Sequence, residues 1–497
     1  MKKDNIKLTR RLFLRNSLFL SGGSILHTGG ILPLTAKSQI NNWQEKTILI
    51  KNALIVNADR QAAGDILIRG EKIAAIGKRL GAKSDITEVI DAAGLQVLPG
   101  GVDPHVHITG PFADDFTSGS QAALAGGITT IGNLSWPGPD QSLDALLDEH
   151  TKLIKSAAIA DVMLHPTVNN PTSDVIEVLP VLAKKGYTSF KIFMAMDNFN
   201  DHMAGYLQVL QKAKETGMLP MIHCEDQPML TSATQKLLAE GKESIQYYPQ
   251  SRPQEAEAAA TQWAVDICEK MGIPVYIVHL SSEIALTICA KAQKKKLPVY
   301  VETRPIYLHL TAENFLRDDA SLFVGMPPLR EKNDQEALWR GVTNGSVHVL
   351  ATDHAPWTKQ QKLIANTIRN FRAGVCNLQE MLPMFYSEGV KKGKISLQQF
   401  VRLTSSNAAR LFGLYPRKGV IAPGSDADLV IWDPQETYTI KSADGYSKAG
   451  FSIYEGWKIT GRPKITFRRG EIVYRNNQIT ASPGSGQLLK RGKGILL

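Results

Sequence analysis

Short apolar runs alternate with longer helical segments through the middle of this chain. Eight such runs are rich in Val, Ile and Leu, and segments of helical length such as 253–271 and 284–296 lie between them. Strands that alternate with helices predict a parallel sheet covered by helices. We therefore expect an α/β fold, a (β/α)8 TIM barrel, with a doubly wound open sheet as the alternative. The predicted strands are 96–98, 129–133, 161–164, 189–194, 219–222, 274–278, 298–301 and 347–351.

A second pattern, of short β-branched runs with turn signals between them, marks both ends of the chain. It predicts a small β-sandwich domain built from both termini, on either side of the barrel in sequence. The sandwich runs are 48–50, 54–56, 65–68 and 73–76, and then 427–432, 465–467 and 471–474. The predicted domains are 47–97 and 416–475 for the two sandwich parts, 98–415 for the barrel and 476–497 for a C-terminal tail.

The first 36 residues have the pattern of a targeting segment. Arg10 and Arg11 precede a mildly apolar run that contains glycines, and Leu34-Thr35-Ala36 is a plausible cleavage site. Paired arginines before a weak apolar run resemble a bacterial twin-arginine export signal. A basic tail or a membrane anchor is the alternative, but the run is too weakly apolar for stable membrane insertion. We expect an exported or periplasmic protein whose mature chain begins near Lys37.

Composition and charge narrow the functional classes. The 497 residues are 43% hydrophobic and 21% charged, as in ordinary soluble globular proteins. Much of the net charge of +10 comes from the N-terminal segment, and no basic stripe interleaved with aromatic residues follows, so we expect no nucleic-acid partner. The four cysteines are scattered without CxxC spacing, which argues against a disulfide scaffold and against a cysteine zinc site.

Polar side chains of metal-binding type come at the ends of several predicted strands. His105 and His107 are one residue apart, so on an extended backbone both side chains leave the same face. Further histidines and an aspartate follow other runs, at the end of a barrel where chemistry occurs. Four imidazoles and a carboxylate suit a borderline cation such as Zn²⁺. The candidates are His105, His107, Lys191, His223, His279 and Asp353.

Lys191 is the unusual member of this set, because it lies in the apolar run Ser189–Met194. A buried ammonium is costly, so Lys191 either pairs with an acid, reaches the surface along its aliphatic stem, or is chemically modified. Burial favours the neutral amine, which can react with CO₂ to form a carbamate. A carbamate carries the extra negative charge and the two oxygens that would let it bridge two metal ions.

Several motifs, taken together and in order, resemble the dihydropyrimidinase/hydantoinase group of the amidohydrolase superfamily. The similar stretches run along nearly all of residues 47–490. They include 98–107 and 189–195 around the first histidine pair and the lysine, 223–226 and 278–282 around the later histidines, 327–332, 352–356 around Asp353, 405–419, 424–434, 453–456 and 484–487.

The resemblance implies a hydrolase that opens a cyclic amide or imide ring, of the dihydropyrimidine or 5-substituted hydantoin type. In such enzymes a hydroxide bridges two divalent metal ions, and Asp353 would act as general base and then as general acid. The implied assembly is a homo-oligomer, a tetramer or dimer. One metal would be held by His105, His107, carboxylated Lys191 and Asp353, and the second by Lys191, His223 and His279.

The chain departs from that group at its predicted substrate pocket. Met196 occupies the position of a tyrosine that in relatives donates a hydrogen bond to the developing oxyanion, and methionine cannot donate. Met326 replaces a serine, and Ala373-Gly374 aligns with an Asn-Gly turn. We therefore expect a more apolar pocket than in relatives. The alternatives are an allantoinase- or dihydroorotase-like cyclic amidase, and a noncatalytic scaffold related to dihydropyrimidinases.

Overall fold

The computed structural model describes residues 46–81, 86–138, 140–197 and 199–497. The predicted export segment 1–36, with Arg10 and Arg11, lies outside these residues. The prediction for that segment therefore stays a prediction.

The N-terminal β-rich region forms the strands that the sequence predicts there. Two long strands pair in antiparallel register from Thr47↔Arg69 to Val56↔Gln61. Their β-branched residues, such as Ile48, Ile50 and Ile66, are fully buried, which is the environment that favours such residues in strands. The strands are β1 (Thr47–Val56), β2 (Gln61–Arg69), β3 (Lys72–Gly77), β4 (Glu88–Asp91) and β5 (Gln96–Pro99).

Eight parallel strands follow and form the barrel. They are β6 (Gly101–Val106), β7 (Ile128–Ser135), β8 (Asp161–Pro166), β9 (Ser189–Phe193), β10 (Leu219–His223), β11 (Val275–Ile277), β12 (Val299–Thr303) and β13 (Val349–Leu350). Ladders join β6 to β8 and β9 to β13. Isolated parallel bridges, Thr167↔Lys191 and Val106↔His354, connect these two sheets at both seams. The predicted TIM barrel is confirmed, and both seams fall beside candidate site residues.

Helices connect the barrel strands and pack outside them. Side-chain caps begin several of them: Asp115 accepts from the amides of Thr117 and Ser118, for example. No helix in the described part of the chain is long and apolar enough to cross a membrane. The α-helices are α1 (Phe116–Ala125), α2 (Leu143–Ala157), α3 (Ser173–Lys184), α4 (Met203–Thr216), α5 (Gln227–Ala239), α6 (Tyr248–Ser251), α7 (Gln254–Met271), α8 (Glu283–Lys294), α9 (Pro305–His309), α10 (Lys332–Asn344), α11 (Lys359–Leu363), α12 (Met381–Phe385), α13 (Leu397–Val401) and α14 (Asn407–Leu411). Single 3-10 turns span Asn200–His202, Ile245–Tyr247, Ala312–Leu316, Ala320–Phe323 and Ser442–Asp444, and π-helical turns span Tyr386–Lys391 and Arg402–Ser406.

The C-terminal strands complete the small β domain. They are β14 (Leu429–Thr439), β15 (Lys458–Arg468), β16 (Glu471–Arg475) and β17 (Gln478–Ile479). They join the N-terminal strands in one nine-stranded sheet of order β17-β16-β15-β14-β5-β1-β2-β3, with β4 paired to β1. Buried residues from both halves, such as Ile48 and Leu429, share a single apolar core. The prediction of a β domain built from both termini is therefore confirmed.

One predicted barrel strand belongs elsewhere. Residues 96–98 lie in β5, which pairs with β14 from Pro99↔Leu429 to Gln96↔Trp432, so the first barrel strand is β6. An apolar run of this length fits either sheet, which is why the pattern could not distinguish them. At the junction Gly100 lies so close to Thr129 that no side chain fits there, and the chain crosses from the small sheet into the barrel at this point.

The barrel is closed at its amino-terminal end by residues from the end of the chain. The predicted tail lies along β8, where the amide of Val162 donates to the carbonyl of Gln487 at 2.8 Å and that of Leu489 donates to Val162 at 2.7 Å. Leu489 and Phe412 join the apolar cluster inside the barrel. The candidate ligands lie at the opposite end of the barrel, above this apolar cluster.

Candidate metal centre

Strand periodicity places the candidate ligands above an apolar layer inside the barrel. Met221 and Tyr300 belong to that layer, and two residues further along the same strands come His223 and Glu302. Because side chains alternate across a strand, both polar residues point inward at the carboxyl end. They are almost fully buried, at 1% and 0% exposure.

The first group of candidates converges on one carboxylate oxygen. Oδ1 of Asp353 lies 3.0 Å from Nε2 of His107 and 3.2 Å from Nε2 of His105. Donor atoms of these three residues all lie within 4.8 Å of one another. Nζ of Lys191 is 3.4 Å from the same Nε2 of His105. The structure therefore brings together the four residues that were predicted to hold one metal.

The second group lies beside the first. Nδ1 of His223 and Nε2 of His279 face each other at 2.9 Å. The ring centroids of His279 and His105 are 5.4 Å apart, so the two groups adjoin. All six predicted ligands thus meet at the carboxyl end of the barrel.

Buried carboxylates orient two of the imidazoles. Oε1 of Glu302 accepts from Nδ1 of His105 at 2.7 Å, which leaves Nε2 free to act as a ligand. Oε2 of Glu225 accepts from Nε2 of His223 at 2.8 Å, which leaves Nδ1 free. Arg252 holds Glu225 through two hydrogen bonds of 3.0 and 2.5 Å. Such partners select the tautomer and raise the basicity of a metal-ligating histidine.

Burial favours the neutral form of three of the imidazoles, those of His105, His223 and His279. Burial lowers the pKa of His105 and of His279 well below the usual range, and neighbouring positive charge lowers both further. Burial also lowers the pKa of His223, although Glu225 opposes this effect. A neutral imidazole is the form that binds metal.

Asp353 is held as a carboxylate. Burial would raise its pKa, but the guanidinium of Arg304, 3.2 Å from Oδ2, and the neighbouring histidines outweigh that effect and keep the pKa well below the usual range. Its backbone has φ +47°, and that of His279 has φ +39°. Left-handed backbone is uncommon at residues other than glycine and is enriched at functional sites. Both strained positions here carry candidate ligands.

Lys191 is fully buried among these groups. Its Nζ lies 4.6 Å from the ring centroid of Phe193, and burial lowers the pKa of its amine to about 8. Within the described residues no carboxylate forms an ion pair with it, so the first alternative for this lysine, pairing with an acid, does not hold. The second alternative, reaching the surface, is excluded by its burial.

These donors fit a divalent metal site. Neutral imidazoles and a carboxylate are the ligands of borderline cations such as Zn²⁺, and the donor atoms of His105, His107 and Asp353 lie within 4.8 Å of one another. The remaining two imidazole nitrogens face each other beside Lys191, which suits a second ion if the lysine carries negative charge.

A cavity of about 480 Å³ opens above the candidate ligands. His107, His223, His279 and Asp353 reach it, and most of its other walls are apolar. Among the predicted pocket residues, Met326 and Ala373 line it; Met196 is half-buried and is not among the residues that line it. The apolar and aromatic lining consists of Pro111, Phe112, Trp136, Leu146, Phe193, Met326, Ala355 and Ala373.

Sequence reasoning missed the residues that orient the ligands. Glu302 ends a predicted strand, as the chosen histidines do, and this position could have identified it. Glu225 follows His223 by two residues within a motif that was recognised. Arg252 and Arg304 carried no local signal, because each reaches its partner only across the folded barrel.

Comparisons with known proteins agree with this arrangement. Residues 96–473 match the amidohydrolase family. The chain is 38% identical over 461 residues to the D-hydantoinase of Geobacillus stearothermophilus, covering 90% of this chain and 97% of that protein. It is 34% identical over 454 residues to the D-phenylhydantoinase of Escherichia coli O1:K1, covering 89% and 98%. The crystal structure of dihydropyrimidinase from Brevibacillus agri NCHU1002 superimposes with a TM-score of 0.86 at 35% identity, covering 90% and 99%.

The contacts of Glu302 generate a test of ligand orientation. Glu302 also accepts from the hydroxyl of Tyr276 and the amide of His279, both at 2.9 Å. Glu302→Gln replaces an acceptor oxygen by a donor and should weaken zinc binding about 10- to 100-fold, measured by chelator competition. Glu283→Gln, at an exposed position on α8, is the control and should bind zinc as the wild type does. Equal affinity in all three proteins would exclude the orienting role.

Proposed function

The chain belongs to the amidohydrolase family, and we propose that it is a metal-dependent hydrolase that opens a cyclic amide or imide ring of the dihydropyrimidine or 5-substituted hydantoin type. One observation carries this proposal: His105, His107, Lys191 and Asp353 converge at the base of a cavity at the carboxyl end of the barrel. That end carries the active site in barrels of this kind.

Two divalent ions, which we take to be zinc, would be held by the six candidate residues and would lower the pKa of a water and polarise the ring carbonyl. Asp353 is ionised and borders the cavity, so it can accept the proton of the attacking water. It then returns that proton to the ring nitrogen as the C–N bond breaks. Water adds across one amide bond, and the products are a carboxylic acid and an N–H group on the opened chain.

The shape of the cavity supports a substrate with an apolar substituent. The ring centroids of Trp136 and Phe193 are 4.5 Å apart, and Phe193 lies 5.3 Å from His223. An aromatic wall therefore extends outward from the candidate ligands. A curated relative is named D-phenylhydantoinase, and an aryl group is a substituent that such a wall accommodates. We infer that the substrate is a cyclic amide with an apolar or aryl group on the ring.

Lys191 is proposed to be a carbamate in the active enzyme. Its neutral amine attacks CO₂, a C–N bond forms and one proton leaves, which gives an anion with two oxygens. The burial of Lys191 and its pKa of about 8 support this step, since an appreciable share of the amine is neutral near neutral pH.

We also propose export and self-association. The paired arginines Arg10 and Arg11 support export to the periplasm in a folded state. The resemblance to the dihydropyrimidinase/hydantoinase group is the basis for proposing a homo-oligomer, a tetramer or dimer.

The function is tested by a ring-opening screen on the metal-loaded protein. We expect cleavage of 5-phenylhydantoin and dihydrouracil, with a preference for the aryl substrate, and weak or no cleavage of allantoin and dihydroorotate. Asp353→Asn should lower kcat by roughly 10²- to 10⁴-fold because it removes the proton acceptor. Asp319→Asn, at an exposed ion pair, is the control. Cleavage of allantoin or dihydroorotate alone would favour the alternative amidases, and cleavage of none would contradict the proposal.

Lys191→Ala tests the carbamate. The variant should lose both metal and activity, and a short carboxylate such as acetate or propionate should restore part of each by occupying the vacated space. Lys185→Ala, at an exposed position, serves as the control. An uncharged amide of the same size should not rescue. Wild-type activity in Lys191→Ala without any additive is incompatible with a bridging role.

Export is tested by fractionating a bacterial host that expresses the full chain. The protein should be found in the periplasm, and the double substitution Arg10→Lys and Arg11→Lys should retain it in the cytoplasm while its activity in the lysate is unchanged. A cytoplasmic wild-type protein would rule out the signal.

A further inference from the structure

Lys362 is a buried cation that the proposed chemistry does not use. Its side chain is 0% exposed, and its ammonium donates to three main-chain carbonyls: Val324 at 2.7 Å, Arg372 at 2.8 Å and Gly374 at 2.7 Å. All three of its N–H donors are thereby used. No acidic side chain among the described residues forms an ion pair with it. Burying an ammonium without a carboxylate costs free energy of desolvation. A methionine of similar volume would fill the same space at a lower free-energy cost.

The three carbonyls belong to the two segments that line one wall of the cavity. Val324 precedes Met326 by two residues, and Arg372 and Gly374 are on either side of Ala373; Met326, Ala373 and Gly374 all line the cavity. The amide of Gly374 donates to the carbonyl of Val324 at 3.0 Å, which joins the two segments directly. Lys362 therefore acts at the junction of these two segments.

Trp357 forms a hydrogen bond with the carbonyl that lies between those of Arg372 and Gly374. Its indole N–H donates to the carbonyl of Ala373 at 2.8 Å, and the guanidinium of Arg372 lies over its ring at 5.4 Å. The carbonyls of residues 372, 373 and 374 thus all accept from side chains of the segment 357–362. Residues 372–374 lie outside any helix or strand, so these side chains take the place of a hydrogen-bond ladder.

The wall formed in this way lies close to the residues after Asp353. Gly374 has φ +136°, and a side chain there would collide with the main chain of Ala355. Ala355 donates from its amide to the carbonyl of Val375 at 3.2 Å. A shift of residues 372–374 would therefore change the distance between this wall and the proton acceptor Asp353.

We propose that Lys362 and Trp357 are positioning residues, which hold residues 372–374 in place as one wall of the cavity and so fix the position of Ala373 and Gly374 beside the substrate ring. This inference rests on the proposed function. Because Ala373 and Gly374 line the cavity, the affinity for the ring and the discrimination between ring sizes depend on where Lys362 and Trp357 place these two residues. The aromatic wall contacts the substituent of the substrate, and the wall formed by residues 372–374 contacts its ring.

Three variants test the clamp formed by Lys362 and Trp357. Trp357→Phe removes a single N–H and keeps an aromatic ring, Lys362→Met removes the ammonium at similar volume, and Lys359→Met, exposed on the same helix, is the matched control. Amide hydrogen exchange of the peptide that contains residues 370–376 should be at least about tenfold faster in the first two variants and unchanged in the third. KM for hydantoin and dihydrouracil should rise about 3- to 10-fold, as expected for a lost hydrogen bond. The preference between the two rings should change, while kcat and bound metal stay near wild type.

The outcomes separate the clamp from a merely structural role and from the proposed function. A structural role would lower the active fraction and Tm while leaving KM and ring preference as in the wild type, which would overturn the inference. Unchanged hydrogen exchange in both variants would also overturn it. If Lys362→Met does not fold, Trp357→Phe alone decides the question. If the wild type opens none of the substrates of the ring-opening screen, the proposed function is contradicted, and the exchange measurement still decides whether the clamp exists.

Discussion

The site depends on burying nitrogen and oxygen atoms away from water at the carboxyl end of the barrel. A buried imidazole is stabilised when the nitrogen that does not face the site has a hydrogen-bond partner. Glu302 and Glu225 supply that partner for His105 and His223, and Arg252 keeps Glu225 ionised and in place. The same burial lowers the pKa values of His105 and His279 well below the usual range and that of the Lys191 amine to about 8. The burial of these side chains therefore sets both their protonation and their orientation as ligands.

The pattern of apolar runs was sufficient to predict the barrel, because local periodicity determines which side chains a strand buries. Polar residues at the ends of apolar runs identified His223, His279 and Asp353, since parallel strands bring their carboxyl ends to one edge. The same local reasoning misassigned residues 96–98, whose apolar run fits the small sheet equally well. It also could not find Arg252 or Arg304, because their partners are distant in sequence. Met196 shows a further limit: it aligns with a pocket residue of relatives but does not line the cavity here.

Two walls of different character line the cavity. Phe112, Trp136 and Phe193 form an aromatic surface made by side chains, whereas residues 372–374 present main chain held by Lys362 and Trp357. Side-chain walls change readily with single substitutions, but a main-chain wall changes only when the residues behind it change. Met326 and Ala373 both line the cavity, and both add to the apolar character of its lining.

A binuclear metal centre held by six side chains of the barrel can be tested by counting the metal ions in the folded protein. Purified chain that has been supplied with zinc and bicarbonate should contain about two divalent ions per chain, and Lys191→Ala should contain far fewer. A folded, monodisperse wild-type protein with well under one ion per chain under those conditions would exclude the binuclear centre and would favour a noncatalytic scaffold.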